Sequence, residues 1–319
     1  MHKKIKMLLL TAMVLTIYST AFTQTSKTII ILDFELKQQG MQTASEDLGS
    51  WISAQIQAAL VKSPYLTVVE RNRLDEVMKE QALSQTGIMD ERTAIQVGKI
   101  IGAQKILMGE YQYSQKKRYN ISSRLVDIET GKVEVQRIIS DIKKKEVKKY
   151  TNEVASVIIA RIKNQVALEN IAKLENPHSP FQVKLSTPKE SYSPGEMLTF
   201  TIEAEKNCYI YVFDIGTSGK IHLLFPNKMQ QKNFLKAGKK IQIENIRVSP
   251  PTGTETVKAI ATMDSLSYQQ LLESSGSQAT FQSFGEDVEQ FSRDLEVMVS
   301  PLAKERWNSD LIRLEIKEK

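Results

Sequence analysis

Strand and helix patterns alternate along the first half of the chain. Thr28–Phe34 is a continuous run of β-branched and apolar residues, which is typical of a strand buried on both faces. Apolar residues then recur at helical spacing from Leu48 to Leu60. The remaining patterns predict strands at 66–70 and 105–111, helices starting near 72 and 90, a hairpin at 119–128 and 132–140, and a long helix at 147–174. This order predicts an α/β domain over 28–174, a mixed sheet with flanking helices.

The pattern changes to period two after a short proline-containing linker at 175–180. Leu198–Ala204 alternates apolar and polar residues, and Cys208–Ile215 is apolar on both faces, as in the central strand of a sandwich. Further strands are predicted at 181–185, 220–225, 240–246, 255–263 and 311–316. We therefore predict an antiparallel β-sandwich over 181–319. A Ser- and Gln-rich stretch at 264–283 is predicted to be a flexible insertion, and an amphipathic helix at 284–298 either covers the sandwich or docks a partner.

The first 21 residues have the pattern of a secretory signal peptide. Three lysines precede a short apolar run, and Ser19-Thr20-Ala21 provides small residues at a cleavage site. An uncleaved anchor is the alternative. The only cysteine, Cys208, is far from that site, so we expect a periplasmic protein that is not a lipoprotein.

The composition favours a binding or assembly protein over an enzyme. Apolar residues make up 41% and charged residues 25%, which is an ordinary globular balance. One cysteine and three histidines leave little material for a disulfide scaffold, a metal site or a nucleophile–histidine pair. No phosphate-binding loop, dinucleotide fingerprint, zinc-protease motif or nucleophile elbow occurs. We expect no catalytic residues, no metal, no cofactor and no nucleic-acid partner.

Positive charge is concentrated in one part of the first domain. Residues 105–150 contain 12 Lys or Arg and 6 Asp or Glu. This segment is predicted to face an anionic partner, such as an acidic protein, a lipid headgroup or a cell-wall polymer. The alternative is a sheet edge studded with lysine that prevents pairing between edges. The candidate partner-binding residues are Lys116, Lys117, Arg118, Lys143, Lys144 and Lys145.

Three stretches of the first domain resemble a known family. Val68–Gln81, with its Glu70-Arg71 pair, is similar to the signature of the curli-secretion-channel family, CsgG, and so are Gly102–Gly109 and Leu125–Gly131. The same unit resembles the activator lipoproteins of cell-wall synthases and the N-terminal domain of TolB. The resemblance implies an envelope-assembly fold. It adds Glu70 and Arg71 as candidate contacts to a partner or neighbouring subunit, although they could instead organise the strand-to-helix turn.

The family's channels form their pore from long hairpins, but the corresponding connections here are short. Residues 114–118 and 140–149 are polar and too short to cross a bilayer, which takes strands of about 9–11 residues with an apolar outer face. We therefore expect the family's fold without its pore. In the second half, residues 181–262 resemble a domain of unknown function, which implies a fold but no chemistry.

These observations predict a non-enzymatic envelope protein. It would assist the secretion or assembly of curli-like or other surface proteins by binding other envelope proteins or itself as a homo-oligomer, with peripheral membrane or cell-wall contact. Regulation of a cell-wall synthase is the first alternative. An outer-membrane secretion pore and a hydrolase follow in that order.

Overall fold

A computed structural model describes most of the chain, which divides into two compact units, 1–155 and 156–319. The division falls inside a long helix, and each unit is described by itself. The predicted signal peptide and most of the insertion at 264–283 lie outside the described residues. The structure describes residues 26–37, 48–80, 91–114, 118–216, 221–250, 252–266, 282–283, 288–300 and 302–318.

The first unit contains a mixed sheet. Its strands are β1 (Lys27–Ile31), β2 (Glu35–Leu36), β3 (Leu66–Val68), β4 (Lys105–Ser114), β5 (Arg118–Asp127) and β6 (Val133–Lys143). They are ordered β3-β1-β4-β5-β6, and β2 also pairs with β4. Strand β1 is parallel to β3 and β4, whereas β4, β5 and β6 are antiparallel. The predicted α/β fold is confirmed.

Helices form where the apolar spacing predicts them. They are α1 (Leu48–Leu60), α2 (Arg71–Glu80), α3 (Glu91–Ile101) and α4 (Val147–Lys173). Apolar side chains of α2 and α3 pack against the sheet in a cluster that contains Ile30, Leu74, Val97, Ile101 and Ile106. Tyr150 of α4 donates a hydrogen bond to Ser123 Oγ of β5 (2.9 Å), and burial raises the pKa of the Tyr150 phenol to about 12. This sheet and its helices position the candidate site.

The structure explains why glycine occupies both ends of the Gly102–Gly109 stretch. Gly102 follows α3 with φ = +75°, and the next amide, of Ala103, donates to the Gly98 carbonyl (2.9 Å), which closes the helix end. Gly109 lies under the Phe34 ring, and a Cβ built at Gly109 would be 2.2 Å from Phe34 Cε1. Because Phe34 is only 3% exposed, its ring has little room to move away.

We expect Gly109→Ala to lower the free energy of unfolding of the first unit by about 1–3 kcal/mol, because the added methyl overpacks the Phe34 contact. The measurement is urea unfolding followed by tryptophan fluorescence. The chain has two tryptophans, Trp51 and Trp307, so a Trp307→Phe background reports on the first unit. Gln112→Ala, at an exposed position of the same strand, is the control. Equal stability of the two variants would contradict the close contact.

The second unit is a sandwich of one large and one small sheet. Its strands are β7 (Val183–Ser186), β8 (Ser191–Tyr192), β9 (Met197–Ala204), β10 (Cys208–Ile215), β11 (Ile221–Phe225), β12 (Phe234–Leu235), β13 (Lys240–Arg247), β14 (Gly253–Thr262), β15 (Gln282–Ser283) and β16 (Trp307–Ile316). The large sheet is ordered β15-β11-β10-β14-β16-β8, with β12 on β10, and the small one β13-β9-β7. The pairs are antiparallel except β16 with β8. The predicted sandwich is confirmed.

Helix α5 (Val288–Val299) covers part of the large sheet. Its residues Phe291 and Leu295 form a cluster with Tyr211 and Phe213, and the Phe213 and Phe291 rings are 5.4 Å apart. The prediction that an amphipathic helix near 284–298 covers the sandwich is therefore confirmed, although the described helix begins at Val288. The cluster also buries Tyr211 and Phe213, which makes these aromatic residues part of the core.

A buried lysine holds the C-terminal end of α4 within the second unit. Lys258 has 0% exposure, and its ammonium group donates to the Ala172 carbonyl (2.9 Å) in the last turn of the helix. A cation at a helix C-terminus is favoured by the helix dipole. Burial lowers the pKa of Lys258 to about 8, against the opposing effect of Glu175 and Asp310.

Candidate functional site

Four of the predicted basic residues lie together at one end of the first unit's sheet. Arg118 begins β5 and is paired with Lys143, the last residue of β6. Lys144 and Lys145 follow directly in a 3₁₀ turn over Lys144–Glu146. We call Arg118, Lys143, Lys144 and Lys145 the basic surface. Lys116 and Lys117 lie outside the described residues.

The turn that carries these lysines also starts helix α4. Glu146 Oε2 accepts a hydrogen bond from the Lys143 backbone amide (2.7 Å), and the buried Val147 then begins the helix. Lys148 and Lys149 extend the exposed positive charge into the first turn of α4. The helix dipole disfavours cations at this end. The lysines before α4 and those in its first turn therefore do not stabilise this helix.

The charges of the basic surface are only partly balanced within the unit. Arg118 donates to Asp141 in a paired geometry (3.0 and 2.7 Å), and this hydrogen bonding raises the pKa of the guanidinium. Among the described residues, no carboxylate forms an ion pair with Lys143, Lys144 or Lys145. Three exposed ammonium groups are thus available to an anionic partner.

Asp141 also distorts the outer strand β6. Its φ is +56°, and its amide donates to Asn120 Oδ1 (2.8 Å). The pairing of β5 with β6 shifts between Tyr119 and Ile121, so that Ser140 and Asp141 face Asn120 together. This two-against-one arrangement is a β-bulge. It separates the basic end of β6 from the regularly paired part of the strand, which runs from Val135 to Ile139 between this bulge and a second register shift at Glu134.

Glu70 and Arg71 lie in a different part of the first unit. Arg71 begins α2, and its guanidinium pairs with the Asp33 carboxylate, which also accepts from Ser53 Oγ (2.6 Å). Partial burial raises the pKa of Asp33, but the hydrogen bonds from Arg71 and Ser53 outweigh that effect and lower it. The contact fits the alternative in which Arg71 organises the strand-to-helix turn. Glu70 is exposed, and a partner contact for this pair stays a prediction.

The register of β4 separates this pair from the basic surface. Leu32, next to Asp33, donates its amide to the Leu107 carbonyl, whereas Arg118 is opposite Ser114 at the far end of β4. The two groups of predicted residues are therefore not one site.

A cleft of about 260 Å³ opens over the sheet of the first unit, beside Asp33 and Glu110. Four of its charged side chains form ion pairs: Asp33 with Arg71, Lys37 with Glu110 (3.1 Å) and Arg124 with Glu91 (3.2 Å). Within the described parts of the chain, no group of three or more His, Cys, Asp and Glu side chains could hold a metal ion. None of the helices described there combines the length and the hydropathy needed to span a bilayer.

A second group of exposed lysines, in the second unit, was not among the predicted site residues. The stretch 226–240 contains five lysines and no Asp or Glu, a signal that is readable in the sequence. It lies outside the basic segment 105–150 that contains the predicted lysine and arginine site residues apart from Arg71.

The two family resemblances are confirmed by sequence profiles. The profile of the family described as curli production assembly/transport component CsgG matches residues 14–118. The profile of a domain of unknown function, DUF4384, matches residues 191–265. No curated protein matches the sequence.

Several solved structures are similar to part of the chain. The C-terminal domain of LpoB from Salmonella enterica is 15% identical with a TM-score of 0.32, and the match covers 39% of this chain and 87% of that one. Lipoprotein GNA1162 from Neisseria meningitidis is 15% identical with a TM-score of 0.29, covering 44% and 96%. TolB from Acinetobacter baumannii is 10% identical with a TM-score of 0.29, covering 76% and 56%. These TM-scores are below 0.5, and we base no functional conclusion on them.

Proposed function

We propose that this chain is a non-enzymatic envelope protein that assists the secretion or assembly of surface proteins by binding an acidic protein partner. The observation that carries the proposal is the group of exposed lysines at Lys143–Lys145, which have no carboxylate partner among the described residues and oppose the dipole of the helix that follows. The match of the first unit to a secretion-component family supports the same reading. The predicted signal peptide supports a periplasmic location.

The basic surface would act through charge complementarity. Three ammonium groups on a turn fixed by the Glu146 cap steer an acidic partner toward this end of the sheet. Arg118, already paired with Asp141, would add a planar donor group when the partner displaces that carboxylate. The partner is another envelope protein or a second copy of this chain.

We expect Lys143→Glu/Lys144→Glu/Lys145→Glu to abolish the proposed role in secretion or assembly, because the positive charge that binds the acidic partner is reversed. The fold is expected to stay intact, because all three positions are exposed. Intact cells are labelled with a membrane-impermeant biotin reagent, and the labelled surface proteins are compared between strains. Loss of the gene is expected to lower one or more surface proteins several-fold, and the triple variant is expected not to restore them. The matched control is Lys62→Glu/Lys99→Glu/Lys132→Glu, at exposed positions of the same unit.

Two results would count against this proposal. An unchanged surface profile in the deletion strain would exclude a role in secretion or assembly. If the deletion instead changes the rate of cell-wall synthesis, and the triple variant fails to restore that rate, the chain is a regulator of a cell-wall synthase. Thermal unfolding of the purified variants checks that each is folded.

A further inference from the structure

Residues 226–240 form an ordered connection that runs from β11 to β13 in the second unit and contains β12. We call this segment the lysine loop. Its five lysines are Lys228, Lys232, Lys236, Lys239 and Lys240, and all of them are exposed. It contains no carboxylate side chain.

Inward-facing amides set the shape of the lysine loop. Asn227 Oδ1 accepts from the amides of Met229 (2.9 Å) and Gln230 (2.8 Å), and Asn227 Nδ2 donates to the Leu224 carbonyl (2.8 Å). Asn233, only 8% exposed, donates from Nδ2 to the Ile210 carbonyl (3.2 Å). The loop is thus fixed to the sandwich from within, and its lysine side chains are left in solvent.

Two large apolar side chains are exposed among these lysines. Met229 is 79% exposed, the highest value for a large apolar residue in the described part of the chain, and Phe234 is 45% exposed. The Phe234 ring packs edge-on against Tyr209, with centroids 5.2 Å apart, which holds it at the surface. The local fold therefore presents these apolar groups to the outside.

Most of the positive charge of the lysine loop has no ion-pair partner in the part of the chain that the structure describes. Lys240 pairs with Glu203 (2.6 Å) on the neighbouring strand β9. Among the described residues, no carboxylate forms an ion pair with Lys228, Lys232, Lys236 or Lys239. The lysine loop therefore carries four lysines without an ion-pair partner among the described residues, in the same segment as the exposed Met229 and Phe234.

We propose that the lysine loop binds the surface of a bilayer that contains anionic lipids. Lysines in this arrangement contact headgroup phosphates, while Met229 and Phe234 enter the boundary between headgroups and acyl chains. The charges occur on both sides of Met229 along the segment, which suits a field of many anions rather than one fixed carboxylate. Lysine ends, unlike the planar fork of arginine, impose little geometry on the anion and so suit mobile headgroups.

The test uses the purified chain and two kinds of vesicle, one of phosphatidylcholine and one with phosphatidylglycerol added. Bound protein is measured by co-sedimentation at low and high salt. We expect binding to the anionic vesicles that falls at high salt, because the lysine contacts are screened. Binding to neutral vesicles is expected to be weaker by about tenfold or more.

Two variants separate the charged from the apolar part of the lysine loop. Lys228→Gln/Lys232→Gln/Lys236→Gln/Lys239→Gln is expected to weaken binding to anionic vesicles by about tenfold or more. Met229→Gln keeps every charge and is expected to weaken it several-fold. The matched control, Lys62→Gln/Lys99→Gln/Lys132→Gln/Lys184→Gln, removes four exposed lysines elsewhere and is expected to bind nearly as the native chain does.

Three outcomes would overturn the proposal: no binding to anionic vesicles, native binding by the lysine-loop variants, or equal loss in the control. Binding of polyglutamate without binding of vesicles would assign the loop to an acidic protein instead. Circular dichroism confirms that the variants are folded. The Lys143→Glu/Lys144→Glu/Lys145→Glu variant is expected to bind vesicles nearly as the native chain does. A failure of the membrane-binding proposal and a failure of the proposed secretion role are therefore distinguishable.

Discussion

Replacing Lys105 by alanine is expected to lower the free energy of unfolding of the first unit by about 3–5 kcal/mol. The side chain of Lys105 is 5% exposed, and its ammonium group lies 2.8 Å from both Asp127 Oδ2 and Glu134 Oε2. Those two carboxylate side chains are themselves only 20% and 11% exposed. Without the lysine, two partly buried negative charges would face each other with no cation between them.

The measurement is urea unfolding in the Trp307→Phe background, with Lys132→Ala as the control because Lys132 is exposed. A loss below about 1 kcal/mol, the range of a surface ion pair, would show that solvent compensates for the missing cation.

The pH dependence gives a second readout for the same group. Burial raises the pKa of Asp127, but hydrogen bonds from Lys105 and Thr130 outweigh it and lower the pKa. The carboxylate therefore stabilises the fold above its unfolded-state pKa, and this contribution is lost as the pH falls through its lower folded-state pKa. We expect Lys105→Ala to reduce the acid-induced loss of stability. In this variant, part of the stabilisation that the Asp127 carboxylate provides is already absent at neutral pH.

Phe213→Ala is expected to destabilise the second unit by about 3–5 kcal/mol. The ring is 1% exposed and packs between the large sheet and α5, against Phe291. Its removal would leave a cavity where the helix meets the sheet.

Unfolding is followed by Trp307 fluorescence in a Trp51→Phe background, and Val297→Ala, at a 67% exposed position of α5, is the control. If the two variants lose similar stability, α5 does not depend on Phe213 for its place on the sheet.

Long periodic segments were predictable from the sequence, because burial of one face imposes a repeat on the residues. Strand β10 was predicted at its observed bounds, and α4 ends one residue before the predicted end. The two-residue strands β2, β8, β12 and β15 were not predicted, since so short a segment carries no period. Strand β16 begins at Trp307, ahead of the predicted start at 311. The sequence did not predict its first half because Asn308, Ser309 and Asp310 are polar. Their side chains form hydrogen bonds with backbone groups, which the sequence pattern does not indicate.

The candidate site was predictable only in part. Charge counting identifies the lysines of the basic surface, but the register that pairs Arg118 with Lys143 comes from the bulge at Asp141, which leaves no composition signal. The contact between Arg71 and Asp33 joins residues 38 positions apart, and nothing in the local sequence of either one indicates the other. Such pairings arise from strand order, which depends on the whole sheet.

The bulge at Asp141 also affects how the protein behaves at high concentration. A long, flat outer strand offers a template on which further chains can stack in cross-β fashion, which is the route to fibrils. The bulge leaves only Val135–Ile139 of β6 in regular pairing, and Lys143 follows on its far side. We therefore expect the folded chain to resist fibril growth, and any assembly of its copies to proceed through side-chain contacts rather than by extension of the sheet.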